Sequence, residues 1–306
     1  MEARYHTLDV FTDRVFGGNP LAVFPDGRGL TSGQMQRIAR ELNLSETVFV
    51  LPPDDPAHTR RLRIFTPGME LPFAGHPTLG TAFLLAALGE VAMEGEETGI
   101  VFEEGVGPVP VRIRGRDGAP VFTQLTAAQL PEHRPSPLSR EQAAGLLGLD
   151  PGDVLDGEWG PEAVSCGVAF LFVTLRDRAA LGCARVDPAR WEALLAREWA
   201  PHVYVLARDP ELPGSDLRSR MFAPAMGIVE DPATGAAAAA LAGYLAARSG
   251  ERDGTLRWTV EQGFEMGRPS LVHVEADVRG GAVTASRVGG ASVRVAEGTM
   301  RIPSEP

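Results

Sequence analysis

The sequence predicts an α+β protein made of two pseudo-equivalent domains. The first observation is an internal repeat: a polar residue, a proline, two further residues and a glycine occur at residues 76–80 and again at 231–235. The second is that both copies run into an apolar segment rich in alanine. The third is an apolar strand-like segment before each copy, at residues 48–51 and 203–206; both the strands and the polar residues are offset by 155 positions. Two copies are too few for a solenoid and fit two similar domains with a cleft between them.

Each copy of the repeat predicts the start of a buried helix. Proline suits the first helical position because its missing N–H would have no partner there, so we expect helices from Thr78 and from Ala233. His76 and Asp231 would then lie at or next to the helix N-caps. Both segments are apolar on every face, which is typical of helices in the middle of a domain. Helix N-termini favour anions, so two such starts facing one cleft would hold a small carboxylate.

The first domain is predicted to cover residues 1–130. Alternating apolar residues and turn signals predict its elements, and Thr31 or Ser32 is expected to cap the first helix. The predicted elements are strands at 5–10 and 21–24, a helix at 31–42, strands at 48–51 and 61–65, the helix from Thr78, and strands at 100–102, 109–113 and 121–125.

The second domain is predicted to cover residues 131–306, with the return of its last strand to the first domain left open. The proline-rich, polar stretch at 131–137 is the expected linker. The elements predicted after it are a helix from Ser139 to residue 147, strand-like residues 164–175, a helix at 188–198, a strand at 203–206, the helix from Ala233, and several strands between residues 255 and 295.

Composition and charge exclude several classes of protein. The chain has 306 residues, of which 44% are hydrophobic and 23% charged, so it has enough apolar material for two cores. Its net charge is −11 and its basic residues do not cluster, which argues against nucleic acid as a partner. No apolar run approaches the roughly 20 residues of a membrane span. The N-terminus lacks a basic region followed by an apolar one, so we expect a cytoplasmic protein.

The two cysteines do not indicate a metal or redox site. Cys166 and Cys183 are spaced as neither a zinc pattern nor a Cys-x-x-Cys pair. We therefore expect two small, reduced, buried side chains.

Three ionisable residues are candidates for proton transfer. Glu46 precedes an apolar strand, where partial burial would raise the pKa of its carboxyl group; the alternative is an exposed turn residue. His76 begins a helix, whose dipole disfavours the charged imidazole; the alternative is a residue that only caps or packs. Asp231 alone would be an ordinary N-cap residue. The repeat favours function, because both copies carry an ionisable group at the same position.

Four groups of residues also occur in order along nearly the whole chain. They are Phe-Gly-Gly-Asn-Pro-Leu-Ala-Val at 16–23, Asn-Leu-Ser-Glu-Thr at 43–47, Phe-Ala-Gly-His-Pro-Thr at 73–78, and Phe-Ala-Pro at 222–224 with Glu-Asp-Pro-Ala-Thr-Gly at 230–235. Together they resemble the phenazine-biosynthesis PhzF family. The resemblance implies the diaminopimelate-epimerase-like fold, in which two similar domains each wrap a curved sheet around a central helix. This agrees with the internal repeat, which was found independently.

The resemblance also implies an isomerase that uses no metal and no organic cofactor. Glu46 would be the general acid/base that moves a proton between two substrate carbons, while His76 and Asp231 hydrogen-bond the substrate and assist the transfer. The type reaction of the family is the isomerisation of trans-2,3-dihydro-3-hydroxyanthranilate, and a homodimer is the expected assembly. The residues expected to bind the carboxylated substrate are Asn19, Ser45, Gly75, Gly235 and Ala236.

One departure from the family pattern keeps other functions open. Family members often have serine after the Thr-Gly of the second motif, where this chain has Ala236. A backbone N–H survives that change and a hydroxyl does not. The first alternative is an amino-acid epimerase or racemase of the same fold, which would need a thiol at each helix start. The second is a small-acid binding protein without catalysis. Exchange of solvent protons into a bound substrate would separate enzyme from binder.

Overall fold

The computed structural model describes residues 1–303, which form two compact units. One unit contains residues 1–126 and the described residues from Gly289 onward, and the other contains residues 127–288. The sequence predicted a boundary after residue 130 and left open whether the last strand returns to the first domain. In the structure that strand belongs to the first unit, because it pairs antiparallel with the first strand from Glu2 opposite Arg301 to Val10 opposite Ser292.

The first part of the chain alternates strands with two helices. The elements are β1 Glu2–Val10, β2 Asn19–Phe24, α1 Ser32–Leu42, β3 Glu46–Leu51, β4 Arg60–Phe65, β5 Glu70–Leu71, α2 Gly75–Ala87, β6 Glu97–Glu104, β7 Gly107–Arg116 and β8 Ala119–Thr126. A capping box of Thr31 and Gln34 begins α1, as the sequence predicted for Thr31.

The remaining elements belong to the second unit, except for the last strand. They are β9 Glu132–Pro135, α3 Arg140–Leu146, β10 Glu162–Ser165, β11 Ala169–Leu175, α4 Arg178–Cys183, α5 Pro188–Leu194, β12 His202–Ala207, β13 Leu217–Ala223, β14 Ile228–Asp231, α6 Gly235–Ala246, β15 Gly254–Gln262, β16 Ser270–Arg279, β17 Ala282–Gly290 and β18 Ser292–Arg301. Short 3-10 helices lie at Pro151–Asp153, Gly157–Trp159, Pro224–Met226 and Phe264–Met266.

The first unit wraps its strands around α2. The sheet runs in the order β18, β1, β2, β3, β4, β6, β7 and β8. α2 contacts strands from both ends of this order, including β18 and β8, so the sheet curves around the helix. Leu79, Leu84 and Leu85 are fully buried, as expected for a helix that is apolar on every face.

Gly80 allows α2 to lie close to the sheet. A Cβ atom added at Gly80 would lie 2.6 Å from side-chain carbons of both Leu21 and Val10. Real Cβ atoms do not approach other carbons so closely, so a larger residue would push α2 away from β1 and β2. The glycine of the first repeat copy is thus a packing residue, and it sets the height of the helix above the strands.

The second unit repeats the strand pairing of the first. The pairs β10–β11, β12–β13 and β15–β16 are antiparallel, whereas β11–β12 and β13–β15 are parallel. The series β1–β2, β2–β3, β3–β4, β4–β6 and β6–β7 has the same alternation. α6 contacts β10, β11, β15 and β16 and is buried along its length. The repeat found in the sequence is therefore a repeat of sheet topology.

The stretch predicted as a linker forms a strand. The expected linker at 131–137 contains β9, whose four residues pair antiparallel with β10, from Glu132 opposite Ser165 to Pro135 opposite Glu162.

Within residues 1–303, none of the helices has the length and apolar character needed to cross a bilayer. The same part of the chain contains no group of three or more histidine, cysteine, aspartate or glutamate side chains arranged to hold a metal ion.

Candidate functional site

Glu46 and His76 lie side by side in the first unit. α1 ends at Asn43, whose left-handed conformation (φ 51°) redirects the chain, and Glu46 is the first residue of β3. His76 is the second residue of α2. Its Nε2 lies 3.2 Å from Oε2 of Glu46, and the two side chains are only 7% and 13% exposed. The structure therefore brings together two of the three predicted acid/base residues in a nearly dry environment.

The imidazole of His76 is neutral and has a defined tautomer. The ring donates a hydrogen bond to the backbone carbonyl of Pro20. Nε2 makes no hydrogen bond to any of residues 1–303, so Nδ1 is the donor and Nε2 carries the lone pair. Burial lowers the pKa of His76 to about 3, and the contact with Pro20 raises it only in part. Burial, rather than the helix dipole invoked from the sequence, is thus the main reason for the neutral ring.

The contact between His76 and Glu46 is close but not yet a hydrogen bond. At 3.2 Å the two atoms are within ion-pair distance, yet their orientation does not satisfy hydrogen-bond geometry. A small rotation of the carboxyl group would align the two atoms for a hydrogen bond. A neutral Nε2 can accept a proton but cannot donate one, so a bond would require the proton to be on Glu46.

The turn between β1 and β2 fixes the carbonyl that His76 uses. Oδ2 of Asp9 accepts a hydrogen bond of 2.6 Å from the backbone N–H of Phe16. Gly18 has φ +59°, and a Cβ there would lie 2.3 Å from the carbonyl oxygen of Val10, so only glycine fits. Asn19, the first residue of β2, is fully buried. Gly18 therefore serves the backbone geometry that presents the Pro20 carbonyl to the imidazole.

Asp231 occupies a different position in the second unit. It is the last residue of β14, where it pairs with Met221, and it lies three residues before Thr234, the N-cap of α6. Its Oδ2 accepts a hydrogen bond of 2.5 Å from Oγ1 of Thr234. Asp231 is 7% exposed, so its carboxylate is oriented by a neighbour and nearly dry.

The predicted helix starts are wrong in detail for both copies. α2 begins at Gly75 after the N-cap Ala74, which makes Pro77 the third helical residue rather than the first. α6 begins at Gly235, because β14 still pairs at Asp231 and Pro232 therefore lies outside the helix. The shared sequence pattern fixed the position of each turn but not the residue at which the helix starts.

Gln262, which joins β14 to α6, was not predicted from the sequence. Its Nε2 donates to the carbonyl of Asp231 at 2.9 Å and to Oγ1 of Thr234 at 3.0 Å, while its Oε1 accepts from the N–H of Thr234 at 3.2 Å. Gln262 is fully buried at the end of β15. It comes about 30 residues after its partners in the chain, so no local pattern could have identified it.

The remaining predicted residues lie in the turn before β3 and at the N-termini of α2 and α6. Ser45 is partly exposed in the turn before β3, and Gly75 is the buried first residue of α2. Gly235 is the buried first residue of α6, and Ala236 after it is partly exposed. Helix geometry leaves the N–H groups of a first turn without acceptors inside the helix. Backbone anion binding at the N-terminus of each helix stays a prediction.

Neither cysteine lies at a helix start. Cys166 lies between β10 and β11, and Cys183 is the last residue of α4. Burial raises the pKa of the Cys166 thiol to about 12, which suppresses the reactive thiolate. Cys183 is exposed, contrary to the expectation that both thiols are buried. A mechanism with a thiol at each helix start, the epimerase alternative, has no support in these positions.

Comparison with known proteins points in one direction. A family model described as "Phenazine biosynthesis-like protein" matches residues 8–298. An uncharacterized isomerase of Mesorhizobium japonicum is 42% identical over 306 residues, covering 99% of this chain and 100% of its own. The trans-2,3-dihydro-3-hydroxyanthranilate isomerase of Pseudomonas aeruginosa is 38% identical, covering 96% of this chain and 98% of its own.

A solved structure confirms the predicted fold class. The phenazine biosynthesis protein of the PhzF family from Bacillus anthracis matches with a TM-score of 0.89 at 25% identity, covering 99% of this chain and all of the other. The match spans both units described above. The α+β fold with one central helix in each unit is thus the fold that the motifs implied.

Proposed function

Because the chain belongs to the phenazine biosynthesis-like (PhzF) family, whose curated relatives are named isomerases, we propose that this isomerase moves a proton within a small carboxylated substrate through Glu46. The relative from Pseudomonas aeruginosa is named for trans-2,3-dihydro-3-hydroxyanthranilate, which is the first substrate to test. The substrate class and the proton shuttle are proposals, and the Glu46–His76 pair supports them.

One observation carries the proposal: the lone pair on Nε2 of His76 lies 3.2 Å from Oε2 of Glu46. As a carboxylate, Glu46 would take a proton from one substrate carbon, so that a C–H bond breaks and an O–H bond forms. The protonated carboxyl group would then donate to Nε2. In the second step the O–H bond breaks and a C–H bond forms at another carbon. The two steps balance without an oxidant or a reductant.

The low pKa of His76 suits this role. A histidine with an ordinary pKa near 6.5 would compete for the proton that Glu46 has taken. Burial holds the pKa of His76 at about 3, so the proton stays on the carboxyl group and remains available for return to the substrate. His76 would then orient the protonated Glu46 and accept a hydrogen bond from it. A raised pKa of Glu46 itself remains a prediction.

The second unit supplies the other proposed substrate contacts. On the family resemblance we assign Asp231 to hydrogen-bonding of the substrate, with Thr234 holding its carboxylate. We assign the N–H groups of Gly235 and Ala236 to the substrate carboxylate, since the first turn of a helix favours anions. Asn19, Ser45 and Gly75 are the corresponding contacts proposed in the first unit, where Gly75 begins α2. A cleft between the helix starts, the homodimer and catalysis without a cofactor also remain predictions.

Exchange of solvent deuterium into the substrate tests this function. Wild type, Glu46→Gln, Asp231→Asn and the control Glu103→Gln are incubated in D2O with trans-2,3-dihydro-3-hydroxyanthranilate and with a panel of small cyclic carboxylates. General acid–base catalysis is typically worth about 10²–10⁴-fold, so Glu46→Gln should lose at least that much turnover and still bind. Glu103→Gln should match wild type.

The other outcomes of the exchange experiment each reject a part of the proposal. Equal exchange by wild type and Glu46→Gln would remove Glu46 from the mechanism. Binding of a carboxylate without exchange by any variant would favour the small-acid binding protein. Wild-type exchange only with amino acids at a single stereocentre would favour an epimerase.

A further inference from the structure

Glu104 is a buried carboxyl group that the proposed reaction does not use. It is the last residue of β6 and only 8% exposed. Alternation along the strand puts it on the same face as the buried Ile100 and Phe102, whereas Glu103 points to the other side. Backbone N–H groups hold the pKa of Glu103 at about 2. Two adjacent glutamates therefore lie in opposite environments.

Glu104 contacts the first turn of α2 through Thr78. Oγ1 of Thr78 is 2.6 Å from Oε1 of Glu104. Oγ1 of Thr78 is also 2.8 Å from the backbone carbonyl oxygen of Ala74, the N-cap of the helix. A threonine hydroxyl has a single hydrogen and cannot donate to both oxygens. If it donates to Ala74, the contact with Glu104 requires a proton on the glutamate.

The surroundings of Glu104 favour the protonated acid. None of residues 1–303 forms an ion pair with it, and its Oε2 is buried without a hydrogen-bond partner. The segment before α2 contributes Pro72, which closely approaches Gly105, and α2 contributes the uncharged hydroxyl of Thr78. A carboxylate here would be a buried charge without compensation, which is costly. Burial raises the pKa of Glu104 to about 8, and Thr78 lowers it only in part.

We propose that Glu104 is a positioning residue that keeps its proton at neutral pH and donates it to Oγ1 of Thr78. The Thr78 hydroxyl is then committed to the Ala74 carbonyl, which closes the first turn of α2. That turn carries Gly75 and His76, so Glu104 acts on the Glu46–His76 pair through the helix backbone. Loss of the proton would redirect the hydroxyl to the carboxylate and release the Ala74 carbonyl.

The proton on Glu104 can be tested without a substrate. Protein labelled with ¹³C at the glutamate side-chain carboxyl is titrated by NMR, and the Glu104 resonance is the one that disappears in Glu104→Gln. We expect it to have the shift of a neutral acid at pH 7 and to titrate near pH 8. Glu103→Gln identifies the neighbouring resonance, which should not titrate between pH 5 and 9. A Glu104 resonance that titrates near pH 4.5 would overturn the proposal.

The effect on His76 is read from its ring ¹⁵N shifts. Glu104→Gln can still donate to Thr78 and should keep the wild-type tautomer at every pH, whereas Glu104→Leu removes the donor and should disturb it. Wild type should show the change only as pH rises past about 8. Ring shifts that respond neither to Glu104→Leu nor to pH would refute the positioning role, even if Glu104 holds its proton.

Activity supplies a third readout, which rests on the proposed function. Misplacement of a catalytic group by about 1 Å can cost 10²-fold, so Glu104→Leu should lose about 10–10²-fold in kcat at pH 7 with a smaller change in KM. Wild type should lose kcat above pH 8, and Glu104→Gln should retain it. The same alkaline loss in Glu104→Gln would contradict the proposal. Absence of turnover in wild type would count against the proposed function, while the two NMR readouts would still decide the role of Glu104.

Discussion

The starts of α2 and α6 share a sequence pattern but are held in different ways. At α2 the turn is closed by Thr78 and Glu104, and His76 lies inside the helix. At α6 the turn is closed by the side-chain amide of Gln262, and Asp231 lies outside the helix, at the end of a strand. The turn in the first unit thus involves a carboxyl group, that of Glu104, which can gain or lose a proton. The turn in the second unit involves the side-chain amide of Gln262, which does not titrate.

The two units therefore share a sheet topology but differ at the N-termini of their central helices. Both units repeat the same series of parallel and antiparallel pairs around a buried helix. The first start combines two buried groups with shifted pKa values, which is typical of a site that handles protons. The second orients one carboxylate by neutral hydrogen bonds, which suits a substrate contact. The comparison yields four predictions about stability.

The largest effect is expected for Gln262→Leu. This change removes the hydrogen bonds of the Gln262 amide to the buried carbonyl of Asp231 and to the part-buried N–H of Thr234. Removing one partner of a buried hydrogen bond costs roughly 1–3 kcal/mol, so we expect a loss on the order of 4 kcal/mol in the free energy of unfolding. Urea unfolding at pH 7 measures it. Thr78→Val is the counterpart in the first unit and should lose less, since Glu104 can stay neutral there. Equal losses would mean that the two starts are held alike.

The next effect is the pH dependence that Glu104 imposes on stability. Its pKa rises from 4.5 in the unfolded chain to about 8 in the folded protein, so the folded state binds more protons between these values. The contribution of Glu104 to the free energy of unfolding must therefore fall as pH rises from about 4.5 to about 8, in total by on the order of a few kcal/mol. Glu104→Gln should flatten this slope and Glu103→Gln should not. Parallel pH profiles for wild type and Glu104→Gln would contradict the assignment.

His76 should produce a dependence of the opposite sign, which is measured here over a single pH unit. Its pKa falls from 6.5 to about 3 on folding, so the unfolded chain binds a proton that the folded protein excludes. Stability should drop as pH falls below about 6.5, by roughly 1 kcal/mol for the first pH unit. His76→Gln removes the titrating group and should reduce this drop when unfolding is compared at pH 6.5 and 5.5. His133→Gln, at a partly exposed histidine, is the control.

The smallest stability effect is expected for Ala236→Ser at the start of α6. Ala236 is partly exposed, so the added hydroxyl meets solvent and the free energy of unfolding should change by no more than about 0.5 kcal/mol. The same change introduces the hydroxyl that the family resemblance led us to expect at this position. Tighter binding of a carboxylate by calorimetry, at unchanged stability, would show that α6 uses this position. A loss above 2 kcal/mol in the free energy of unfolding would mean that the side chain at position 236 is more tightly packed than its partial exposure indicates.

Much of the candidate site was readable from local patterns. The family resemblance carried by the motifs at 43–47 and 73–78 pointed to Glu46 and His76, and the repeat pointed to Asp231 as the counterpart of His76. The alternation of Ile100, Phe102 and Glu104 along a strand was also visible and could have revealed the buried glutamate. Gln262 had no such signal, because its partners are far away in the chain.

The sequence by itself determined the two-unit fold and both buried helices, because hydrophobic periodicity and turn residues act locally and occur twice. Tertiary structure alone decided the chemistry of each start. The 3.2 Å approach of His76 to Glu46, the bond from His76 to Pro20 and the neutral state of Glu104 all depend on burial and on contacts between distant segments. Proton affinity depends on the surroundings of a group, and those surroundings exist only once the chain has folded.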